Sequence, residues 1–88
     1  MNSDELKESL EKLRSEIKIL EEENRLTRQT LSRLIGEVEH HLKNPHDAGY
    51  KVTLIENLKI HIKQYEAAHP ALTGVLNRIM MTLSGIGI

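Results

Sequence analysis

The sequence predicts an all-α protein, an antiparallel helical hairpin that dimerises into a helical bundle. Apolar residues recur every seven positions through both halves of the 88-residue chain, which is typical of helices that pack against helices. One strong cluster of helix breakers, residues 44–49, separates the two halves. The chain contains no Cys, Phe or Trp, so its core must be aliphatic. A chain of this length forms one domain, 1–88, with one modest core.

The first arm is predicted to be a long helix over about residues 3–43. Two apolar series with a seven-residue period form its seam. These series are Leu10, Ile17, Asn24, Leu31, Val38 and, offset by three, Leu6, Leu13, Leu20, Thr27, Leu34, His41. The last turn carries His40, His41 and Lys43, where positive charge is favourable next to the helix C-terminus.

Asn24 interrupts this seam with a polar residue and leaves two interpretations open. In a continuous helix, Asn24 would be a buried polar residue that sets the register of packing. In a broken helix, it would be the N-cap of a separate second helix. We favour the continuous helix because the heptad phase is the same on both sides of Asn24. The preceding Glu21-Glu22-Glu23 also contains no helix breaker.

The second arm is predicted to follow a loop over residues 44–52 and to form a helix over residues 53–84. Pro45 cannot continue the first helix, since its ring excludes the helical conformation from the residue before it. Thr53 and Glu56 have the spacing of a capping box, in which each side chain accepts a hydrogen bond from the backbone N–H of the other residue.

Pro70 predicts a kink or a break of this second helix near residues 68–70. Proline inside a helix costs about 3 kcal/mol, whereas at the first position of a new helix it costs little. His69 would then be the cap or boundary residue. Gly85 is placed for a left-handed cap at the end of the arm.

Several apolar residues lie outside the two seams and predict a second packing surface. Ile19 and Leu26, seven residues apart, lie on the far side of the first arm from its seam. A chain this short buries only about 60% of the surface that its unfolded form exposes, so it gains stability by oligomerising. We therefore expect a non-enzymatic module that associates with itself, as a dimer, or with another protein. The expected interface residues are Ile19, Leu26, Val75, Met80 and Met81.

Charge and hydropathy argue against other classes of function. The chain has 12 Lys and Arg against 13 Asp and Glu, unlike a nucleic-acid-binding protein. No apolar run approaches the roughly 20 residues that span a bilayer, and the acidic start predicts a cytoplasmic protein without a secretory signal. Residues 71–88 carry Arg78 as their only charge, which favours burial over a membrane surface. No nucleophile–base grouping or phosphate-binding glycine loop is present, so we expect neither enzymatic activity nor a cofactor.

A metal-binding helical bundle is the alternative function. Glu66 and His69, three positions apart, would present a carboxylate and an imidazole on one helical face. Two such motifs and two further Glu build di-metal sites in four-helix bundles, so two chains would be needed, with Glu37 or Glu56 as the extra ligands. The simpler interpretation is a solvated Glu66 and a His69 that bounds a helix, and we predict no metal site.

The closing segment resembles a family of short, uncharacterised bacterial proteins. Tyr65-Glu66-Ala67-Ala68-His69-Pro70 is similar to an aromatic-Glu-x-x-His-Pro segment of that family, and the final Ile86-Gly87-Ile88 resembles its terminus. Residues 31–39 are similar to its middle helix. Many members carry Asp-Pro before that helix, where this chain has Asn24-Arg25. The resemblance implies a cytoplasmic bacterial helical protein and supplies no activity and no site residue.

Overall fold

The protein is built from four α-helices. A computed structural model of the chain describes residues 2–20 and 25–85, with side chains from residue 4 onward. The helices are α1 (Asn2–Ile19), α2 (Arg25–Lys43), α3 (Ala48–Tyr65) and α4 (Pro70–Ser84). The described ranges contain no β-strand, so the predicted all-α class is confirmed.

The prediction of one continuous helix over residues 3–43 is wrong. The chain reverses between Ile19 and Arg25, and α1 packs against α2. The Arg14 guanidinium donates a hydrogen bond to the carboxylate of Glu39, 25 residues further along the chain. On one straight helix these two residues would lie roughly 37 Å apart. Asn24, the residue on which the two interpretations differed, lies outside the described residues.

The four helices surround one core in chain order. α1 contacts α2 and α4, and α3 contacts the same two helices, while α4 packs most extensively against α1 and α3. In the described part of the chain no Cα atoms of the diagonal pairs, α1 with α3 and α2 with α4, lie within 8 Å of each other. The chain measures 37 × 22 × 21 Å, and an 18-residue helix of about 27 Å fits its long axis. One chain thus forms the four-helix arrangement, whereas the predicted hairpin would have needed two chains to form it.

Most of the buried core residues belong to the heptad series, whereas Ile35 and Leu54 lie beside it. Leu20 and Tyr65 are half-buried and pack against the core. In the first arm the buried apolar residues are Leu6, Leu10, Leu13, Ile17, Leu31, Leu34, Ile35 and Val38, and in the second arm Leu54, Leu58, Leu72, Leu76, Ile79 and Leu83. Seam positions of α1 and α2 therefore meet in one core because the reversal brings both seams inward.

The second arm begins earlier than predicted, because Asp47 caps α3. The Asp47 Oδ1 atom accepts a hydrogen bond from the Tyr50 backbone N–H at 3.0 Å, and α3 starts at Ala48. The predicted loop over residues 44–52 and the capping box at Thr53 are therefore wrong. Thr53 lies inside the helix, where its hydroxyl donates to the Gly49 carbonyl at 3.2 Å. Aspartate is a favourable N-cap residue, and Asp47 is the first aspartate after Pro45.

The predicted break at Pro70 is confirmed. α3 ends at Tyr65, and α4 starts with Pro70 in its first turn, where no backbone N–H is needed. His69 occupies the N-cap position, although its side chain makes no capping hydrogen bond. Gly85 ends α4 with φ 75°, in the left-handed conformation that favours glycine. Within the described ranges, no helix is both long and apolar enough to cross a membrane.

Candidate interaction surface

Ile19 and Leu26 are the most exposed large apolar side chains in the described part of the chain. Their exposed fractions are 71% for Ile19 and 77% for Leu26. Ile19 is the last residue of α1 and Leu26 is the second residue of α2, so the two flank the same chain reversal. Their predicted position outside the seam is confirmed, and their contact with another chain stays a prediction.

The other expected interface residues are partly used within the chain. Val75 and Met80 are half-buried and pack against the core. Met81 is also half-buried, and its sulfur accepts a hydrogen bond from the Asn77 amide at 3.4 Å. These three residues of α4 are therefore less exposed than Ile19 and Leu26.

Exposed apolar residues also occur on α3. Ile60, which the helical pattern places outside the seam, is 61% exposed, and Val52 is 60% exposed. Sequence reasoning missed Val52 because it assigned that residue to a loop. With α3 starting at Ala48, the two residues are eight positions apart and lie about 80° apart around the helix. The same side of α3 also carries charged residues. Between Val52 and Ile60 in sequence, the Lys59 Nζ atom lies 3.6 Å from the Glu56 Oε2 atom in an ion pair.

The outer face of α2 carries the cations Arg33 and Lys43, whereas neither carboxylate of the helix is fully exposed. All residues of α2 are described, and both of its acidic side chains are half-buried. The Glu37 Oε1 atom is inaccessible to solvent, and Glu39 accepts from Arg14 of α1. The exposed residues of α2 are Arg25, Leu26, Gln29, Ser32, Arg33, Gly36, His40 and Lys43. Six of them, from Leu26 to Lys43, follow alternating steps of three and four residues and therefore share one side of the helix.

The outer face of α1 has the opposite charge over residues 4–12. Four carboxylates and two lysines, Lys7 and Lys12, lie there, and all six residues are exposed. The carboxylates belong to Asp4, Glu5, Glu8 and Glu11. Glu11 accepts a hydrogen bond from Arg14 at 2.9 Å, so Arg14 joins the carboxylates of two helices. An open groove of about 450 Å³ lies between α1 and α2 at this end and includes Leu10 and Leu42 in its lining.

A titratable cluster lies where α2 ends and α3 begins. His41 is only 8% exposed, and its Nδ1 atom has no hydrogen-bond partner among the described residues. Burial, and then the charge of Lys51, lower the pKa of His41 below its usual 6.5. Burial, and then the carboxylates of Glu37 and Asp47, raise the pKa of Tyr50. The burial of His41 agrees with its place in the heptad seam and favours the neutral imidazole at the end of α2.

Glu66 and His69 do not share a helical face. Glu66 follows the last residue of α3 and His69 precedes the first residue of α4, so the chain leaves the helix between them. Glu66 is exposed, whereas His69 is half-buried with its ring centre 6.2 Å from that of Tyr65. The prediction of a shared helical face is wrong because α3 ends before His69. Among the described residues, no group of three or more His, Cys, Asp or Glu is arranged to hold a metal ion.

The comparison with known proteins identifies one family. The model of a family described as "Domain of unknown function (DUF4404)" matches residues 6–88, which is nearly the whole chain. Neither a curated protein nor a solved structure matches the chain significantly.

Proposed function

We propose that this chain, which belongs to the DUF4404 family of proteins with a domain of unknown function, is a non-enzymatic helical module that associates with a second copy of itself. The observation that carries this proposal is the pair of exposed aliphatic side chains at one end of the molecule, Ile19 and Leu26. The core residues of α1 and α2 are buried within the chain. On α1 and α2, these two large apolar side chains are left exposed and available for contact with a partner.

Burial of these two side chains would favour association. Full burial of a large aliphatic side chain contributes about 1.5–3 kcal/mol, so Ile19 and Leu26 together contribute roughly 3–6 kcal/mol per copy. In a two-fold symmetric dimer the same residues of both copies are buried. The net charge of −1 opposes association only weakly.

The double variant Ile19→Lys with Leu26→Lys tests the proposal. Light scattering of the wild-type protein at micromolar concentration should give at least twice the 10.1 kDa chain mass, and the variant should return the mass of one chain. The matched control is Val52→Lys with Ile60→Lys, which changes an equally apolar pair on α3 and should leave the mass unchanged. A wild-type monomer whose melting temperature is independent of concentration would contradict self-association.

The metal-binding bundle that uses Glu66 and His69 from two chains stays an alternative proposal. Each chain would supply one carboxylate and one imidazole from the connection between α3 and α4. Elemental analysis of the purified protein separates the two functions, because only this alternative requires a stoichiometric transition metal. A bacterial, cytoplasmic setting likewise rests on the resemblance of the closing segment and belongs to the proposal.

A further inference from the structure

We infer that the cationic outer face of α2 docks against the acidic outer face of α1 from a second copy of this chain. The inference rests on the proposed self-association and names the surface through which it occurs. The α2 face consists of Leu26, Gln29, Arg33, Gly36, His40 and Lys43, and the α1 face consists of Glu5, Glu8, Lys12, Ser15 and Ile19, all of them exposed.

The charge of the α2 face is a product of the tertiary structure. By sequence, α2 contains two carboxylates in its second half, Glu37 and Glu39. An oxygen of Glu37 is buried at the α2–α3 corner, and Glu39 is engaged by Arg14. Arg33 and Lys43 are exposed on the outer side of α2, and neither has an ion-pair partner among the described residues, whereas the half-exposed Glu39 is paired with Arg14. An anionic partner is the chemical complement of this face.

The spacing of the α2 face indicates that the partner is a helix. The six residues alternate in steps of three and four, which is the pattern of a surface that meets another helix along its length. Gly36 lies at the middle of this face, and a β-carbon added there would meet none of the described atoms within 4 Å. Glycine inside a helix is less favourable than alanine, and contacts within the chain give no reason for it. A small residue at this position instead allows a second helix to approach closely.

The outer face of α1 supplies the carboxylates of Glu5 and Glu8 on a helix with matching spacing. Glu5, Glu8, Lys12, Ser15 and Ile19 also follow steps of three and four residues. The α1 and α2 faces both point outward from one molecule, so they can meet only between two molecules. A two-fold axis would form the contact twice, with α1 of each copy against α2 of the other. Ile19 and Leu26 lie at the ends of the two faces, so this surface is continuous with the apolar pair of the proposed function.

A charge exchange between two variants tests the contact. The first variant carries Arg33→Glu and Lys43→Glu, which makes both faces acidic. The second variant carries Glu5→Lys and Glu8→Lys, which makes both faces basic. All four positions are exposed, and circular dichroism should show unchanged helix content in both variants. Each variant alone should dissociate because like charges oppose each other across both contacts, and an equimolar mixture should form a mixed dimer with both contacts complementary.

The measurement is the dissociation constant by sedimentation, at about 20 mM salt, where exposed charges are weakly screened. We expect each variant alone to dissociate with a constant at least about tenfold above wild type, and the mixture to return to within about threefold of wild type. Wild-type self-association that neither variant weakens would overturn this inference and leave the proposed function intact, whereas a monomeric wild type would overturn both. A monomeric wild type that binds a duplex oligonucleotide through Arg33 and Lys43 would assign the cationic face to nucleic acid instead.

Discussion

Arg14 of α1 contacts carboxylates on two helices, Glu11 on its own helix and Glu39 on α2. The contact with Glu39 spans the chain reversal and joins the two helices that sequence periodicity predicts to be one. Arginine suits this position because its guanidinium group presents donors in several directions. The side chains of Arg14 and Glu39 are 40% and 45% exposed, so solvent screens the ion pair.

We predict a modest coupling between Arg14 and Glu39. A double-mutant cycle with Arg14→Met and Glu39→Gln should give a coupling free energy of about 0.5–1 kcal/mol by urea unfolding, in the upper part of the range for exposed pairs. The reference cycle uses Lys59→Met and Glu56→Gln, a more exposed pair at 3.6 Å, which should couple more weakly. Equal coupling in both cycles would show that the Arg14–Glu39 contact adds nothing specific to the reversal.

We predict that stability decreases in mild acid because of His41. Its pKa in the folded protein lies below 6.5, whereas in the unfolded chain it is about 6.5. As the pH falls through 6.5, the unfolded chain takes up a proton that the folded protein binds less readily, so the free energy of unfolding decreases. The stabilisation is fully present above pH 6.5 and is lost as the pH falls towards the pKa of the folded state.

The comparison of His41→Gln with His46→Gln isolates this effect. His41 is buried and His46 is exposed in the loop after α2, so only the first substitution should flatten the dependence of unfolding free energy on pH between 7.5 and about 5. Urea unfolding at both pH values measures it. If His41→Gln keeps the wild-type slope, the acid sensitivity belongs to other groups.

We predict that Asp47, and not Thr53, is the N-cap residue of α3 that contributes to the free energy of unfolding. Asp47→Ala removes the acceptor for the Tyr50 N–H and should lower the free energy of unfolding by about 0.5–2 kcal/mol. Thr53→Ala, within the helix, should change it by less than about 0.5 kcal/mol, because alanine favours the helix interior. A larger loss for Thr53→Ala than for Asp47→Ala would support a helix that begins at residue 53. Thermal unfolding of both variants measures the difference.

Local rules in the sequence predicted much of this molecule correctly. The heptad series identified Leu10, Leu13 and Leu34 as core residues, since burial follows from the side of the helix on which a residue lies. The same geometry predicted the exposure of Ile19 and Leu26. The helix boundaries at Pro70 and Gly85 also follow from the residues themselves, because proline lacks an N–H and glycine tolerates positive φ.

Only the tertiary structure decided where the first arm reverses and how its charges are distributed. A heptad pattern specifies the face that a helix buries. It does not distinguish one continuous helix that packs against another chain from two shorter helices that pack against each other, because both arrangements bury the same face. The tertiary packing also decides that Glu39 pairs with Arg14 and that burial lowers the pKa of His41. These outcomes depend on residues that are distant in sequence, and no local spacing encodes such contacts.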